Sequence, residues 1–181
     1  ELDKRITVLD KSNTESRLRL ARAADASNDI ESALTYYKEL SILTPKAPDI
    51  FRRLSELSRK KGDMKESVTF LRRYLDFVTD DAEAHKDLGN LLYEQKDYDG
   101  ALQAYRSAMK INPAIKGFYK RYAEIVIAKG AHEEVITAFN RLIKDGDADV
   151  NTYTTLGMIY QKKESYTQAI QMYQKALQLE P

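Results

Sequence analysis

The sequence predicts an all-α fold made of repeated, antiparallel helix pairs, and two observations support this prediction. The first is the pattern of residues 82–113, where two amphipathic stretches flank the polar turn Gln95-Lys96-Asp97 and Pro113 ends the second stretch. Apolar and small residues recur there at helical spacing, at Leu88, Gly89, Leu92, Tyr98, Ala101, Leu102, Tyr105 and Ala108. The second observation is that the pattern returns every 34 residues, without an insertion, over most of the chain.

The period divides the chain into five segments, 14–47, 48–81, 82–115, 116–149 and 150–181, and we number the places of each segment from its first residue. Four places alternate between large and small side chains. Place 7 is Leu20, Leu54, Leu88, Tyr122 and Leu156; place 8 is Ala21, Ser55, Gly89, Ala123 and Gly157; place 20 is Ala33, Ser67, Ala101, Val135 and Ala169; place 24 is Tyr37, Leu71, Tyr105, Phe139 and Tyr173. A small residue lets two helices approach closely, and the large residue of the partner fills the remaining space. We therefore expect five equivalent hairpins.

This pattern resembles the tetratricopeptide repeat (TPR). The marks of that family stand in the third segment at Leu88, Gly89, Ala101, Tyr105, Ala108 and Pro113, and in the fifth at Leu156, Gly157, Tyr160, Tyr166, Ala169, Tyr173, Ala176 and Pro181. Thr79 and Asp147 replace the closing proline of the second and fourth segments. The resemblance covers residues 14–181 and implies a TPR-type α-solenoid, a right-handed superhelix of antiparallel helix pairs.

Within the segments, turn and cap residues place the helix ends. The first segment predicts helices near 15–26 and 29–43, after an N-cap at Asn13 or Thr14. The second begins with Pro48, which suits a first helical turn, and turns at Lys61-Gly62-Asp63. The fourth turns at Lys129-Gly130-Ala131 and ends in the polar joint 144–149, where we expect a bend.

The two ends of the chain carry further expectations. Residues 1–13 fit either a partial preceding repeat that caps the array or the end of a linker or coiled coil. Because the chain begins with Glu1, we interpret it as an excised or processed fragment. The fifth segment lacks a polar capping helix, so its last apolar face, with Ile170 and Leu177, is expected to need a further helix or a partner chain.

Composition excludes several classes of function. Charged residues make up 31% of the chain but the net charge is only +1, so a general attraction to nucleic acid or to an anionic membrane is not indicated. The absence of cysteine and the presence of only two histidines argue against disulfides, thiol catalysis and a metal cluster. No apolar run reaches the roughly 18 residues that span a bilayer, and no secretory leader is visible.

The TPR resemblance implies that the first helices of successive repeats line a concave groove with places 2, 5, 6, 9, 12 and 13. The polar candidates for peptide binding at these places are Arg19, Arg22, Arg52, Arg53, Arg59, Lys86, Asn90, Tyr93, Lys120, Arg121 and Asn151. The arginines and lysines would donate to carboxylates of a bound peptide. Alternatively, they pair with Glu15, Asp49, Glu56, Asp87 and Glu124 across neighbouring helices and only solubilise the face.

Some members of the family clamp a C-terminal carboxylate, and this chain matches that motif only at Lys86 and Asn90. It departs at Arg121, Asn151 and Thr155, which argues against a true clamp and leaves a related anionic contact open. RNA-binding helical repeats are similar in architecture, but the strict period and near-neutral charge argue against them.

No catalytic constellation stands out, and His85 and His132 fall on packing positions. We predict a non-catalytic scaffold, with no cofactor and no metal, that binds a protein or an acidic peptide in the groove. The alternative is a structural element that assembles with other copies through its terminal repeats. An enzyme is the third and least favoured hypothesis.

Overall fold

A computed structural model of the protein describes Asp3, Arg5 and residues 13–180. This part of the chain contains ten α-helices and no strand, which confirms the prediction of an all-α fold. The helices are, in chain order, α1 (Thr14–Ala26), α2 (Ile30–Leu43), α3 (Pro48–Lys61), α4 (Met64–Leu75), α5 (Ala82–Glu94), α6 (Tyr98–Ile111), α7 (Tyr119–Ala128), α8 (His132–Asp145), α9 (Val150–Lys162) and α10 (Tyr166–Leu179). The expectation of a capping helix or linker in residues 1–13 lies largely outside the described residues.

The helices form two compact units, Glu1–Asp97 and Tyr98–Pro181. In the first unit, α1 packs on α2, α2 on α3, α3 on α4 and α4 on α5. In the second unit, α6 packs on α7, α7 on α8, α8 on α9 and α9 on α10. Within each unit, successive helices therefore pack on each other, which is the arrangement expected of stacked hairpins.

Helix starts follow from short polar side chains that accept hydrogen bonds from the first helical N–H groups. Caps of this kind stand before α1, α2, α4, α5 and α9, at Asn13, Asp29, Asp63, Asp81 and Asp149. Of the two predicted cap residues, Asn13 and Thr14, the cap is Asn13, since its side chain accepts from the Ser16 N–H at 2.8 Å. Pro48 is the first residue of α3 as expected, and Gly62 ends that helix at φ +89°, a conformation that favours glycine.

The fourth segment departs from the pattern. The other first helices begin at place 1 of their segments, whereas α7 begins at Tyr119, three residues later. Gly117 takes a φ of +85° and turns the chain inward, so that Ile115 and Phe118 are only 2% exposed. The Phe118 ring stacks on Tyr105 with a centroid distance of 4.8 Å. Burial of these two side chains replaces the missing first helical turn.

The small and large places of the repeat form the core. The small residues at place 20 are all between 0% and 3% exposed, from Ala33 in α2 to Ala169 in α10. At place 8 of the fifth segment, the Tyr173 ring lies so close to Gly157 that a Cβ there would come within 2.5 Å of the ring. Of the five tyrosines predicted as core residues, Tyr37, Tyr105 and Tyr122 are buried, whereas Tyr160 and Tyr173 are only half-buried.

Two serines replace alanine or glycine at the small places of the second segment. The Ser67 hydroxyl donates to the Ser55 carbonyl at 2.9 Å, and the two hydroxyls lie 3.0 Å apart. Because Ser67 uses its proton on the carbonyl, the Ser55 hydroxyl donates to Ser67. The buried polar atoms are thus satisfied without a partner from elsewhere.

Ion pairs connect successive hairpins at one recurring position within each unit. A lysine at the end of a first helix binds an acid at the start of the preceding second helix, 30 residues earlier in the chain. The pairs are Lys61–Glu31, Lys129–Asp99 and Lys163–Glu133. All six side chains are solvent-accessible, so each pair contributes little free energy but favours the same register of stacking.

Candidate functional site

The candidate residues lie on the first helix of each hairpin. Arg19 and Arg22 are on α1, Arg52, Arg53 and Arg59 on α3, and Lys86, Asn90 and Tyr93 on α5, all in the first unit; Lys120 and Arg121 are on α7 and Asn151 on α9, in the second unit. Arg19, Arg22, Arg59, Lys120 and Asn151 are exposed, and the others are half-buried. We call the side of α1, α3 and α5 that carries these residues the first-helix face.

A continuous charge network crosses the first-helix face. Arg53 of α3 donates through two guanidinium nitrogens to the carboxylate of Asp25 on α1, with one contact of 2.5 Å, and also binds Glu56. Arg52 lies 3.8 Å from Glu56 and donates at 2.5 Å to Asp81, the residue that caps α5. The network therefore connects α1, α3 and the start of α5.

Proton affinities follow from these contacts. Hydrogen bonding to Asp25 raises the pKa of Arg53 further above its usual value, against the opposing effect of burial. Burial alone would lower the pKa of Arg52, but hydrogen bonds to Tyr74 and Asp81 outweigh it and the pKa is raised. Tyr74 completes this corner by donating to Asp81 at 2.8 Å, beneath the Arg52 guanidinium. Both arginines are thus fixed cations whose donors are largely used inside the protein.

The same bond recurs in the second unit. Lys120 at place 5 of its segment donates at 3.0 Å to Asp149, the cap of α9, just as Arg52 at place 5 donates to Asp81. The two pairs have the same separation of 29 residues. Asp149 also accepts from the backbone N–H of Thr152 at 2.8 Å. Burial alone would raise the pKa of Asp149, but hydrogen bonds from Thr152 and Lys120 lower it to about 2.

Other candidates bind within their own helices. Arg19 donates to Glu15 at 2.7 Å. Lys86 binds Glu83 one turn earlier, and Asn151 lies 3.5 Å from the Thr155 hydroxyl. The pair Lys86 and Asn90, which resembles part of the carboxylate clamp, is half-buried on α5.

Two arginines of the first-helix face stand apart from this pairing. Arg22 on α1 and Arg59 on α3 are both exposed, and neither forms a hydrogen bond or an ion pair with a residue that the structure describes. Arg22 lies near the buried Tyr37. Burial raises the pKa of Tyr37, and the positive charges of Arg53 and Arg22 partly oppose that shift. The two arginines therefore retain donors that can bind an external acceptor.

Arg59 lines a pocket of about 140 Å³ on the same face. Its other charged lining residues are Arg52, Glu56, Lys60 and Asp87. Asp87 is half-buried, and within the described residues no donor reaches its carboxylate. Burial raises the pKa of Asp87, although the nearby Arg59 and Lys86 partly oppose that shift. Sequence reasoning placed Asp87 among the residues that neutralise the arginines and missed its pocket.

The described residues show no group of side chains that could hold a metal ion. His85 donates to the Thr79 carbonyl at 3.1 Å and His132 accepts from Lys162 at 3.4 Å, so both are engaged in contacts of the scaffold. Among the described helices, none has the length and apolar character needed to cross a bilayer.

Comparison with known proteins identifies the repeat. The model of the cytochrome c-type biogenesis protein H TPR domain matches residues 48–181. The chain belongs to this TPR family. The TPR solenoid fold predicted from the sequence is thereby confirmed, together with its all-α helix pairs.

Two curated TPR relatives are similar over parts of their length. The Hsp70-Hsp90 organizing protein of Triticum aestivum is 26% identical over 162 residues, which cover 90% of this chain and 26% of the relative. The human protein O-mannosyl-transferase TMTC1 is 29% identical over 128 residues, which cover 71% of this chain and 14% of the relative. The chain thus spans about a quarter or less of the length of these two relatives.

Solved structures share the TPR fold at low sequence identity. YrrB, described as a TPR protein with an unusual peptide-binding site, superposes with a TM-score of 0.73 at 18% identity, covering 100% of this chain and 93% of YrrB. MamA superposes with a TM-score of 0.71 at 20% identity, covering 92% of this chain and 91% of MamA. These two likenesses concern the fold.

Proposed function

We propose that the chain is a non-catalytic protein-interaction scaffold that binds an acidic peptide segment on the first-helix face of its first unit. Membership of the TPR family supports the role of scaffold. The peptide-binding site named for YrrB and the organizing role named for the wheat relative are consistent with a peptide as the ligand.

The proposed preference for acidic peptides rests on Arg22 and Arg59, which are exposed and form no hydrogen bond or ion pair with the described residues. The charge network of Arg52 and Arg53 is internally compensated, so it stiffens the face without attracting an anion strongly. Arg22 and Arg59 lie on neighbouring first helices, α1 and α3, and add two positive charges whose donors are available. A peptide with two acidic side chains can form charge-assisted hydrogen bonds with both arginines. The complementary charges also speed encounter.

The network changes how the site is tested. Reversing Arg52 and Arg53 would break the bonds to Asp81 and Asp25, so loss of binding in that variant could reflect damage to the fold. Arg22 and Arg59 lack such bonds within the described residues, so their substitution breaks no bond of the network.

The experiment uses short random peptides displayed in a library and selected on the purified chain. Selected peptides are then synthesised, and their dissociation constants are measured by fluorescence anisotropy on the native chain and on the double variant Arg22→Glu with Arg59→Glu. The matched control is Lys65→Glu with Arg72→Glu, which makes the same charge change at two exposed positions of α4.

We expect the selected peptides to be rich in Asp and Glu, and we expect the Arg22/Arg59 variant to weaken their binding by roughly tenfold or more. The α4 control should bind within about twofold of the native chain, apart from a general salt-dependent effect. Equal weakening in both variants would mean that net charge, and not the first-helix face, attracts the peptide. That result would refute the proposed site.

A second candidate function, self-assembly, is favoured by the apolar face of α10. Ile170 and Leu177 are 56% and 65% exposed, whereas Leu34 and Leu102, which occupy the place of Ile170 in other segments, are 3% exposed. An exposed face of this kind favours association. Light scattering over a range of concentrations, on the native chain and on Ile170→Glu with Leu177→Glu, tests it. A native chain that remains a monomer at high concentration would exclude this alternative.

A further inference from the structure

The strongest unexplained feature of the molecule is the pocket between α3 and α5 that contains Asp87. Its position relates it to a second charge pair of the same unit. Arg53 at place 6 binds Asp25 at place 12 of the preceding segment, 28 residues earlier. One segment later, the same two places hold Asp87 and Arg59, with the charges exchanged.

The two pairs differ in geometry. Arg53 and Asp25 close on each other through two hydrogen bonds. Arg59 and Asp87 are near enough for the cation to lower the carboxyl pKa, yet they do not reach ion-pair distance, and the pocket of about 140 Å³ has both residues in its wall. A space of that volume admits several water molecules or one short side chain.

The chemistry of the wall restricts what can fill the space. Asp87 offers acceptor oxygens to a half-buried site and receives no donor from the described residues. Arg59 offers donors from the other part of the wall, beside Lys60. A carboxylate guest would meet Asp87 and Glu56, and a cationic guest would meet Arg52, Arg59 and Lys60, so either charge suffers repulsion from like charge at short range. A neutral guest that both donates and accepts avoids both repulsions.

We propose that this pocket binds the primary amide of an Asn or Gln side chain of the bound peptide. A primary amide carries two N–H donors and one carbonyl acceptor, which match the Asp87 carboxylate and the Arg59 guanidinium. Ser55 and Ser67 also line the pocket, and because their hydroxyls bond each other they need no further partner. The inference rests on the proposed function, since it assigns a specificity pocket within the same peptide-binding face.

The acidic preference and the amide preference would then come from different residues. Arg22 lies outside the pocket wall and attracts an acidic side chain, whereas Asp87 selects the amide. Arg59 contributes to both because a guanidinium has five donors. A peptide that satisfies the face therefore combines acidic residues with one Asn or Gln at a fixed position.

The test begins with the peptides selected on the native chain. Each selected peptide is resynthesised with its Asn or Gln replaced in turn by Glu, Leu and Lys, and binding is measured by fluorescence anisotropy. The series is repeated on Asp87→Leu, which removes the acceptor, and on Asp87→Asn, which removes the negative charge and replaces one acceptor oxygen by an NH₂ donor. Asp87 forms no hydrogen bond within the described residues. Both variants should therefore have the same unfolding temperature as the native chain, which circular dichroism will measure.

On the native chain, each replacement of the amide should weaken binding by about tenfold or more, as expected for the loss of a hydrogen bond to a charged group. In Asp87→Leu, the amide and Leu peptides should bind within about twofold of each other, while sensitivity to Arg22→Glu remains. In Asp87→Asn, the Glu peptide should gain affinity relative to the amide peptide, because the repulsion has been removed.

Three results would overturn the proposal. One is the absence of Asn or Gln at a fixed position in the selected peptides. Another is an amide preference that persists unchanged in Asp87→Leu, and the third is a Lys peptide that binds the native chain best. These results leave the proposed function standing if binding still depends on Arg22. If the library yields no peptide that binds the first-helix face, the proposed function fails and the amide pocket fails with it.

Discussion

Replacing Gly157 by alanine tests the packing rule on which the fold depends. Gly157 lies inside α9 and faces the Tyr173 ring of α10. A Cβ built at Gly157 would lie 2.5, 2.7 and 2.8 Å from three atoms of that ring. Contacts this short cannot be tolerated, so either the ring or the helix must move.

The size of the effect follows from two opposing contributions. Alanine in a helix interior is favoured over glycine by about 1 kcal/mol, which would stabilise the variant. Overpacking in a filled core costs about 1 to 3 kcal/mol, and moving the Tyr173 ring would also strain its 3.0 Å hydrogen bond to Gln161. We expect the clash to outweigh the gain in helix propensity, and the net loss of stability to be up to about 2 kcal/mol.

A second substitution reverses the sign. Tyr173→Leu introduces the residue that the second segment has at the same place, Leu71, and removes the ring. In that background, Gly157→Ala should stabilise the protein by about 1 kcal/mol, since only helix propensity remains. The coupling between the two sites is then about 1 to 3 kcal/mol, within the range for residues in contact.

The measurement is urea unfolding followed by far-ultraviolet circular dichroism, because the chain has no tryptophan to report on packing. The four proteins of the cycle are compared by their unfolding midpoints and slopes, and a constant slope indicates that the same surface is exposed. If Gly157→Ala stabilises the native chain as much as it stabilises Tyr173→Leu, the ring does not restrict that site and the reasoning is refuted.

Three further outcomes follow from polar contacts. Ser67→Ala should lower the free energy of unfolding by about 1 to 2 kcal/mol, and Ser55→Ala should lower it by less. Because the two hydroxyls bond each other, the double variant should lose less than the sum of the two single variants. A double-mutant cycle in urea measures this. Asp149→Ala should cost about 1 kcal/mol of stability at neutral pH. The folded pKa of Asp149 is about 2, below the ordinary 3.8, so the stability difference between the native chain and the variant should shrink as the pH falls through this range and vanish below it. Acid unfolding of the two proteins measures this. Burial and a hydrogen bond to Glu134 raise the pKa of Tyr122 to about 12 from the ordinary value of 10. The contribution of Tyr122 to stability is therefore present below pH 10 and is lost as the pH rises from 10 through 12. Tyr122→Phe should abolish this alkaline step in an ultraviolet titration.

The sequence predicted most of the fold because the TPR pattern is local and repeated. Each helix shows its own apolar stripe, and the small places require a close neighbour regardless of the rest of the chain. The pattern failed where one segment replaced repeat contacts by others. Around Ile115 and Phe118, two buried apolar side chains substitute for a helical turn, and a period of 34 residues carries no information about that exchange.

The candidate site was less predictable, because the sequence places a side chain on a helix face but does not choose its partner. Arg52 and Arg53 were predicted to bind the carboxylates of a ligand, yet they bind Asp81 and Asp25 of the protein itself. A signal was present in the spacing of opposite charges by 28 and 29 residues. Without coordinates, that spacing does not separate a closed pair such as Arg53–Asp25 from an open one such as Arg59–Asp87.

The distinction between closed and open pairs is central to the proposed ligand site on the first-helix face. A base at place 5 that binds the next cap, as Arg52 and Lys120 do, fixes one hairpin on the next and is costly to redirect to a ligand. A closed pair at places 6 and 12 does the same. Exchange of the charges in the next segment, at Arg59 and Asp87, leaves a cation and a carboxylate facing one pocket without bonding each other. Specificity on a repeat scaffold can thus arise where the polar contacts between repeats are left unclosed, since an incoming group completes them without breaking a bond that holds the repeats together.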